Sequence, residues 1–176
     1  MDSYSLGEVL FSRERIEQRA AEIGRQITAD YKGKEVFLIG ILTGCIMWMA
    51  EVMKNIELDT SIDFMAVSSY GAATQTSGVV KIVKDLKMDI EGRHVLIVED
   101  IIDSGMTLDY LCNFLKGRGP ASLKICAMLD KPARRCVEIN ADYIGFTVPD
   151  AFVVGYGLDV NQRYRNLPFI AAIAEK

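Results

Sequence analysis

The chain has 176 residues, half of them apolar and a quarter charged, which is the composition of one folded domain of ordinary size. Its net charge of −4 argues against broad nucleic-acid binding, which needs an extended basic surface. No apolar run reaches the roughly 18 residues of a membrane-spanning helix, and the first residues lack the regions of a secretion signal, so we expect a cytoplasmic protein without nucleic-acid or membrane partners.

The cysteines and the single histidine do not form a pattern typical of a metal or catalytic site. Cys45, Cys112, Cys126 and Cys136 have no C-x-x-C spacing, and we expect them to be free and buried in a reducing compartment. His94 precedes an apolar run and is interpreted as structural. Zinc-dependent and histidine-based catalysis are therefore not predicted.

The first elements follow from the spacing of apolar residues. An amphipathic helix is predicted from Ser12, its N-cap, because apolar residues recur at steps of three and four as far as Ile27. A buried strand over 36–39, a turn over 40–44 and a helix over 45–55 follow.

The middle of the chain continues the alternation of strands and helices. Residues 68–78 contain almost nothing that could anchor a core, which is typical of a functional lid or a long hairpin. The remaining predicted elements are strands at 62–67, 79–84, 95–98 and 123–129, and a helix that ends near Lys116.

This order of elements predicts an α/β fold. Strands that are apolar along their whole length and alternate with helices indicate a mainly parallel sheet covered by helices on both faces. We expect a single domain, 1–176, with its core over about 12–130. Residues 131–176 are rich in glycine, proline and aromatic residues, and we expect them to form a small irregular hood with the N-terminal residues.

The segment 95–108 carries the clearest chemical signal. An apolar strand ends in two acids, Glu99 and Asp100, and a third acid, Asp103, follows. A small turn, 104–107, then opens a helix. Backbone N–H groups at such a turn bind phosphate, and Gly105 allows close approach. Two adjacent carboxylates suit a vicinal diol or Mg²⁺, although an acid before a serine turn is also an ordinary helix cap.

Residues 98–107 resemble the phosphoribosyl pyrophosphate signature of type I phosphoribosyltransferases, most closely the version in hypoxanthine–guanine phosphoribosyltransferases. The resemblance implies that Glu99 and Asp100 face the ribose hydroxyl groups and bind Mg²⁺. It implies that Asp103 acts as general acid or base near purine N7. The 5′-phosphate would be bound by Asp103, Ser104, Gly105, Met106 and Thr107.

Two other loops are similar to loops of the same family. Thr43 and Gly44, with Arg165, would bind pyrophosphate, and the Leu42–Thr43 peptide bond is often cis in the family. Many members have a basic residue where Thr43 stands, which leaves pyrophosphate to backbone groups and Mg²⁺. Ser69 and Tyr70 resemble the pair in a mobile loop that closes over the reacting centre.

The resemblance extends to the residues that would select the base. Lys131 would donate to the 6-oxo group of a purine, Phe152 would stack on its ring and the backbone of Val153 would contact its edge. Asp159 would contact a guanine amino group through its carbonyl and a second Mg²⁺ through its carboxylate. Because an ammonium group only donates hydrogen bonds, it favours a 6-oxo acceptor over the 6-amino group of adenine.

The function implied by the resemblance is transfer of a phosphoribosyl group from phosphoribosyl pyrophosphate to N9 of hypoxanthine or guanine, with Mg²⁺, in a homodimer or homotetramer. Three alternatives remain. The enzyme could prefer xanthine, the chain could sense the sugar phosphate without catalysis, or the acids could serve phosphorylation in a response-regulator-like domain. Adenine and orotate fit Lys131, Phe152 and Asp159 poorly.

Overall fold

The computed structural model describes residues 4–69 and 80–175. Helices and strands alternate through most of this part of the chain. The helices are α1 (Arg13–Asp30), α2 (Ile46–Met53) and α3 (Met106–Lys116), with a 3₁₀ helix over Pro132–Arg134. The strands are β1 (Tyr4–Phe11), β2 (Val36–Leu42), β3 (Thr60–Ser69), β4 (Val80–Lys84), β5 (His94–Ile102), β6 (Ser122–Asp130), β7 (Tyr143–Thr147), β8 (Val153–Val154) and β9 (Ile170–Glu175).

Six of the strands form one mainly parallel sheet in the order β4-β3-β2-β5-β6-β7, in which only β4 runs antiparallel to its neighbour. A separate antiparallel sheet has the order β1-β9-β8. Buried side chains pack on both faces of the large sheet, with those of α1 and α2 in one cluster and those of α3 in the other. The predicted α/β fold is confirmed.

Helix α1 begins where its sequence predicts. The side chain of Ser12 accepts a hydrogen bond from the N–H of Arg15 at 3.4 Å, which satisfies one of the free donors of the first turn. The apolar stripe is buried, with Ile16, Ile23 and Ile27 fully inaccessible to solvent. Burial of this stripe against the sheet stabilises a helix whose other face is charged.

The predicted turn over 40–44 is wrong in its first half, because β2 continues to Leu42. Gly40 has the appearance of a strand breaker, but it lies inside the sheet at a point of close packing. A Cβ atom added there would lie 2.5 Å from Met49 Sδ and 2.8 Å from Phe64 Cδ1. Glycine is therefore required by the approach of its neighbours and not by a turn.

The predicted end of the central strand also needs correction. β5 does not end at the acid pair but continues past Asp100 to Ile102. The pairing of β5 with β6 continues along the same stretch, with Ile102 opposite Asp130. The acid pair is therefore fixed by the hydrogen bonds of the sheet and not by a loop.

Residues 131–175 are more regular than predicted. β7 extends the large sheet, and β8 and β9 join β1, which is also absent from the predicted elements. Of the four cysteines, Cys136 is exposed, contrary to expectation, and the other three are buried. His94 opens β5 with Nδ1 2.8 Å from Ser122 Oγ. Among the described residues no helix is long and apolar enough to cross a bilayer.

A buried carboxylate joins β3 to the segment that follows β4. Asp63 is only 8% exposed, and it accepts hydrogen bonds from the N–H groups of Lys87 at 2.6 Å and Phe64 at 2.7 Å. The ammonium group of Lys84 lies 3.2 Å from the same carboxylate. Burial alone would raise the pKa of Asp63, but these donors outweigh burial and hold its pKa below the ordinary value.

Asp63→Asn is expected to lower the free energy of unfolding at neutral pH by about 2 kcal/mol, because charge-assisted hydrogen bonds are lost. The carboxylate's contribution is present above the ordinary aspartate pKa of about 3.9 and is lost as pH falls through the lower pKa of the folded state. Urea unfolding at about pH 7 and about pH 3 should show the difference shrinking in acid. Asp59→Asn, at an exposed site just before β3, is the control, and an equal effect of both changes would contradict the prediction.

Candidate active site

The candidate site lies where neighbouring parallel strands of the large sheet end. β2 ends at Leu42, β5 at Ile102 and β6 at Asp130, and all three point their carboxyl ends toward the same edge. The segments that follow these strands therefore meet there. This edge is the usual place for a ligand in an open α/β sheet.

The acid pair on β5 lies in a protein environment that disfavours two negative charges. Burial, with a smaller contribution from the charge of Asp100, raises the pKa of Glu99 well above its ordinary value. Burial also raises the pKa of Asp100 to about 6, although the N–H of Ile101 donates to it at 2.7 Å. Glu99 Oε2 is buried without a hydrogen-bond partner in the described part of the chain. Such a pair is suited to a cation or to hydroxyl donors.

The loop after β2 packs directly on the acid pair. A Cβ atom added to Gly44 would lie 1.5 Å from Asp100 Oδ2, so only glycine leaves room for the carboxylate. The carbonyl oxygen of Gly44 is approached by Gly157, where an added Cβ would lie 2.1 Å away and φ is +103°. The Leu42–Thr43 peptide bond is cis, as the resemblance implied, and Thr43 is exposed.

The turn after β5 leads into α3, which starts at Met106. Its N-cap is Gly105, with φ of +81° in the left-handed region that glycine adopts without steric cost. A cavity of about 230 Å³ is lined by the residues from Glu99 to Gly105 together with Thr107 and Leu108. The free N–H groups and the positive end of a helix dipole make this cavity suited to a phosphate.

A second cavity, of about 300 Å³, adjoins the first. The two cavities share Asp100, Ile101 and Asp103 in their walls. The second cavity is also lined by Lys131, Arg134, Phe152, Val153, Leu158 and Asp159. Its size and mixed apolar and polar lining suit a planar heterocycle.

The side chains of the second cavity differ in exposure. Lys131 is buried to 5% exposure, and its ammonium group lies 3.9 Å from Asp150 Oδ1. The ring of Phe152 is 57% exposed at the rim, and Val153 is buried. Asp103 Oδ1 is buried without a hydrogen-bond partner among residues 4–69 and 80–175. The cavity therefore combines one ammonium donor, one free carboxylate oxygen and one open aromatic face.

Asp159 and Arg165 form an ion pair beside the acids. Arg165 Nη2 lies 2.7 Å from Asp159 Oδ1, and Nη1 donates to the carbonyl of Gly157 at 2.6 Å. The other oxygen of Asp159 accepts from the N–H of Gln162 at 2.8 Å. The charge of Arg165 lowers the pKa of Asp100 and that of Asp159 raises it, although burial remains the dominant influence.

The structure thus brings most of the predicted site residues to one edge of the sheet, while their individual roles stay predictions. The residues that meet there are Thr43, Gly44, Glu99, Asp100, Asp103, Ser104, Gly105, Met106, Thr107, Lys131, Phe152, Val153, Asp159 and Arg165. Ser69 is the last residue of β3, and Tyr70 lies outside the described residues.

Three residues at the site, Arg134, Arg135 and Gly157, were not predicted from the sequence. Arg135 contacts the turn after β5 through backbone carbonyl groups, and Gly157 supports the loop at Gly44. Arg134 Nε also forms an ion pair with Asp150 at 2.6 Å. An arginine in an irregular segment and a glycine among other glycines carry no local signal that would single them out.

Comparison with known proteins places the chain in a family. The family model described as the phosphoribosyl transferase domain matches residues 8–161. The chain belongs to the phosphoribosyltransferase family. It is 49% identical over 173 residues to the hypoxanthine-guanine phosphoribosyltransferase of Bacillus subtilis (strain 168), covering 98% of this chain and 96% of that protein.

Two further relatives show how this phosphoribosyltransferase chain compares in structure and in length. A crystal structure of a hypoxanthine phosphoribosyltransferase from Staphylococcus aureus superposes with a TM-score of 0.93 at 47% identity, covering 96% of this chain and 92% of that one. The bifunctional protein TilS/HprT of Listeria monocytogenes (strain F2365) is 49% identical over 166 residues. That match covers 94% of this chain but 26% of the Listeria protein, so the chain spans about a quarter of that relative.

The acid pair fits Mg²⁺, the cation that the resemblance implies. In the described part of the chain no three histidine, cysteine, aspartate or glutamate side chains group into a complete metal cage. Mg²⁺ commonly takes only one or two carboxylates and fills its other positions with water and substrate phosphates. The unpartnered oxygen of Glu99 and the neighbouring carboxylate of Asp100 would supply these two carboxylate ligands. Asp159 fits less well, because Arg165 and Gln162 already engage both its oxygens.

Proposed function

We propose that the chain transfers the phosphoribosyl group of phosphoribosyl pyrophosphate to N9 of hypoxanthine or guanine, giving IMP or GMP and pyrophosphate. The observation that carries the proposal is the shared wall of the two cavities. In the smaller cavity an acid pair and a helix-terminal turn suit the sugar phosphate. The buried Lys131 lines the larger cavity, on the other side of the shared wall. The similarity to hypoxanthine-guanine phosphoribosyltransferases over nearly the whole chain supports the same reaction.

The smaller cavity would hold the sugar phosphate. The turn 104–107 offers backbone N–H groups and hydroxyl groups to the 5′-phosphate, and Glu99 and Asp100 accept hydrogen bonds from the ribose hydroxyl groups. Mg²⁺ bound by this acid pair would neutralise charge on the pyrophosphate oxygens. The Arg165 guanidinium adds a positive charge near the acid pair, where it lowers the pKa of Asp100.

Asp103 is the proposed general base. As the bond between ribose C1 and the pyrophosphate oxygen breaks, purine N9 forms the new bond to C1, and the proton on N7 passes to the Asp103 carboxylate. The side chain is suited to this role because it lines both cavities and has a buried oxygen without a partner in the described residues. A carboxylate in the shared wall can contact the base while its own backbone belongs to the turn that would bind the sugar phosphate.

The larger cavity would select the base. The Lys131 ammonium group can only donate, so it pairs with the 6-oxo group of hypoxanthine or guanine and not with the 6-amino group of adenine. Phe152 offers an open aromatic face for stacking. The backbone around Val153 and the carbonyl of Asp159 would contact the edge of the purine. The predicted homodimer or homotetramer and the cytoplasmic location remain proposals of the same kind.

The test is pyrophosphate release from phosphoribosyl pyrophosphate with each of hypoxanthine, guanine, xanthine and adenine, in the presence of Mg²⁺. We expect release with hypoxanthine or guanine and very little with adenine. A clear preference for xanthine would replace the proposed base specificity. Absence of release with all four purines, in a chain that still binds phosphoribosyl pyrophosphate, would favour a non-catalytic sensor.

Lys131→Met is expected to raise KM for hypoxanthine by roughly 10- to 100-fold, because a charge-assisted hydrogen bond to the 6-oxo group is worth about 1.5–3 kcal/mol. KM for phosphoribosyl pyrophosphate should change little, since the turn 104–107 is untouched. Steady-state kinetics with each substrate varied in turn make the measurement. Lys116→Met, in the last turn of α3, is the control. An unchanged KM for hypoxanthine would remove Lys131 from base recognition.

A further inference from the structure

Three consecutive carbonyl groups of the turn after β5 are held by the segment 131–136. The carbonyl of Ile102 accepts from the N–H of Lys131 at 3.0 Å. The carbonyl of Asp103 accepts from Arg135 Nε at 3.2 Å, and that of Ser104 accepts from the N–H of Cys136 at 2.9 Å. The backbone of the turn is therefore tied to this segment at every residue from 102 to 104.

This arrangement fixes the direction of the N–H groups that follow. In a trans peptide the C=O bond and the next N–H bond point to opposite sides of the chain. Since the carbonyls of 102–104 face the segment 131–136, the N–H groups of Asp103, Ser104 and Gly105 face away from it. Within the described residues no acceptor engages these three N–H groups. They remain free for an anion at the cavity that Asp103, Ser104 and Gly105 line.

Arg135 is the side chain at the centre of this support. Its side chain is 15% exposed, and its guanidinium donates to the carbonyls of Asp103 at 3.2 Å and Ile102 at 3.4 Å. It also donates to the carbonyl of Ile139 and forms an ion pair with the carboxylate of Asp130. One planar group with several fixed donors thus holds the end of β5, the end of β6 and the loop beyond it.

The turn also packs on Arg135 and on Ile139, just beyond this segment, without room for a side chain at Gly105. A Cβ atom added to Gly105 would lie 2.6 Å from Ile139 Cγ2 and 3.0 Å from Arg135 Cδ. The turn therefore rests on Arg135 both through its carbonyl groups and through van der Waals contact. A shift of the guanidinium would change the position of Gly105 as well as that of Asp103.

We propose that Arg135 is a positioning residue that holds the turn 103–105 in the conformation that presents its N–H groups to the 5′-phosphate and its Asp103 carboxylate to the base. Arg135 acts through the backbone and touches neither substrate. This inference rests on the proposed phosphoribosyl transfer, because the phosphate and the base are the ligands of that reaction. Arg135 contributes by preorganisation, since N–H donors that are already aligned need no rearrangement when the phosphate binds.

The test compares Arg135→Met and Arg135→Lys with Arg93→Met in steady-state assays that vary phosphoribosyl pyrophosphate and hypoxanthine separately. Arg93 is a matched control, a largely buried arginine with an ion pair to Glu35 at the opposite end of β5. We expect Arg135→Met to raise KM for phosphoribosyl pyrophosphate by at least about tenfold, and KM for hypoxanthine by less than about twofold. Arg135→Lys should be intermediate, since lysine keeps the charge but lacks the planar fork.

A purely structural role would lower the active fraction, and hence kcat, without moving KM for the sugar substrate, and that result would overturn the inference. Should Arg135→Met fail to fold, as judged by thermal melting, Arg135→Lys and Asp130→Asn decide the matter. Both should weaken competitive inhibition by inorganic phosphate, and unchanged inhibition in both would overturn the inference. An inactive wild-type chain in the same assay would instead overturn the proposed function.

Discussion

Asp103→Asn is expected to lower kcat by about 10²- to 10⁴-fold, the usual contribution of a general acid or base. The amide keeps the shape of the carboxylate, and the backbone carbonyl that Arg135 holds is unchanged. The asparagine amide cannot accept the proton of purine N7, so the new bond between N9 and ribose C1 must form without that proton transfer. KM for phosphoribosyl pyrophosphate should change little, because the N–H groups of the turn are retained.

The control for this prediction is Asp109→Asn, which removes a carboxylate from the first turn of α3 where Asn113 is its partner. That variant should retain most of the wild-type turnover. Single-turnover measurements at saturating substrates would separate the chemical step from product release. Undiminished turnover in Asp103→Asn would exclude Asp103 as the general base and direct attention to the acids on β5.

Gly44→Ala is expected to lower kcat/KM for phosphoribosyl pyrophosphate by about 10²-fold or more, the usual result of displacing a binding group by about 1 Å. A methyl group at Gly44 would lie 1.5 Å from Asp100 Oδ2 and 2.5 Å from Asp100 Cγ, so the carboxylate or the loop must move. Gly157 prevents the loop from retreating, because it already packs on the carbonyl oxygen of Gly44. The substitution would therefore displace the acid pair that would face the ribose.

Gly117→Ala provides the matched control, because an added Cβ there approaches no atom closer than 3.3 Å and its backbone is right-handed helical. This variant should have wild-type activity and an unchanged melting temperature. If Gly44→Ala also retained activity, the loop would be free to move away from Asp100. The steric coupling between the loop at Gly44 and the acid pair would then be irrelevant to binding.

The parts of the fold that can be predicted are those whose signal is local. The strands β2 and β5 are recognisable because they are buried on both faces and carry continuous apolar residues. β1 is not recognisable, because Leu6 and Val9 are exposed and the partner strand β9 lies at the other end of the described chain. Pairing between distant segments leaves no trace in either segment alone.

Gly40 shows a second limit of the sequence. A glycine after an apolar run predicts a turn, but here it is required by side chains from α2 and β3 that press on the strand. Such a requirement depends on neighbours that the local sequence does not identify. The strand therefore extends two residues beyond Gly40, and this brings Leu42 and Thr43 to the edge of the site.

The candidate site, like the fold, could be predicted from the sequence only in part. The acids and the turn 104–107 could be predicted as a candidate site, because carboxylates, hydroxyl groups and a glycine at a strand–helix junction suit a phosphate or Mg²⁺. The role of each residue came from the family resemblance alone. The full length of β5 could not be predicted, since the strand continues past Asp100 to Ile102. Arg135 could not be predicted either, because its partners are mostly backbone carbonyls, which every residue possesses.

The larger cavity depends on both sheets, whereas the smaller one is lined by β5, the turn after it and the start of α3. The acid pair and the turn after it belong to the large parallel sheet, whereas Val153 in the wall of the larger cavity belongs to β8. β8 is held by β9, and β9 by β1, so this wall depends on pairing between the two ends of the described chain. Loss of the pairing between β1 and β9 would weaken the binding of a heterocycle in the larger cavity more than the binding of a sugar phosphate in the smaller one. Under the proposed function, affinity for the purine is therefore coupled to the pairing of β1 with β9 more strongly than affinity for the sugar phosphate.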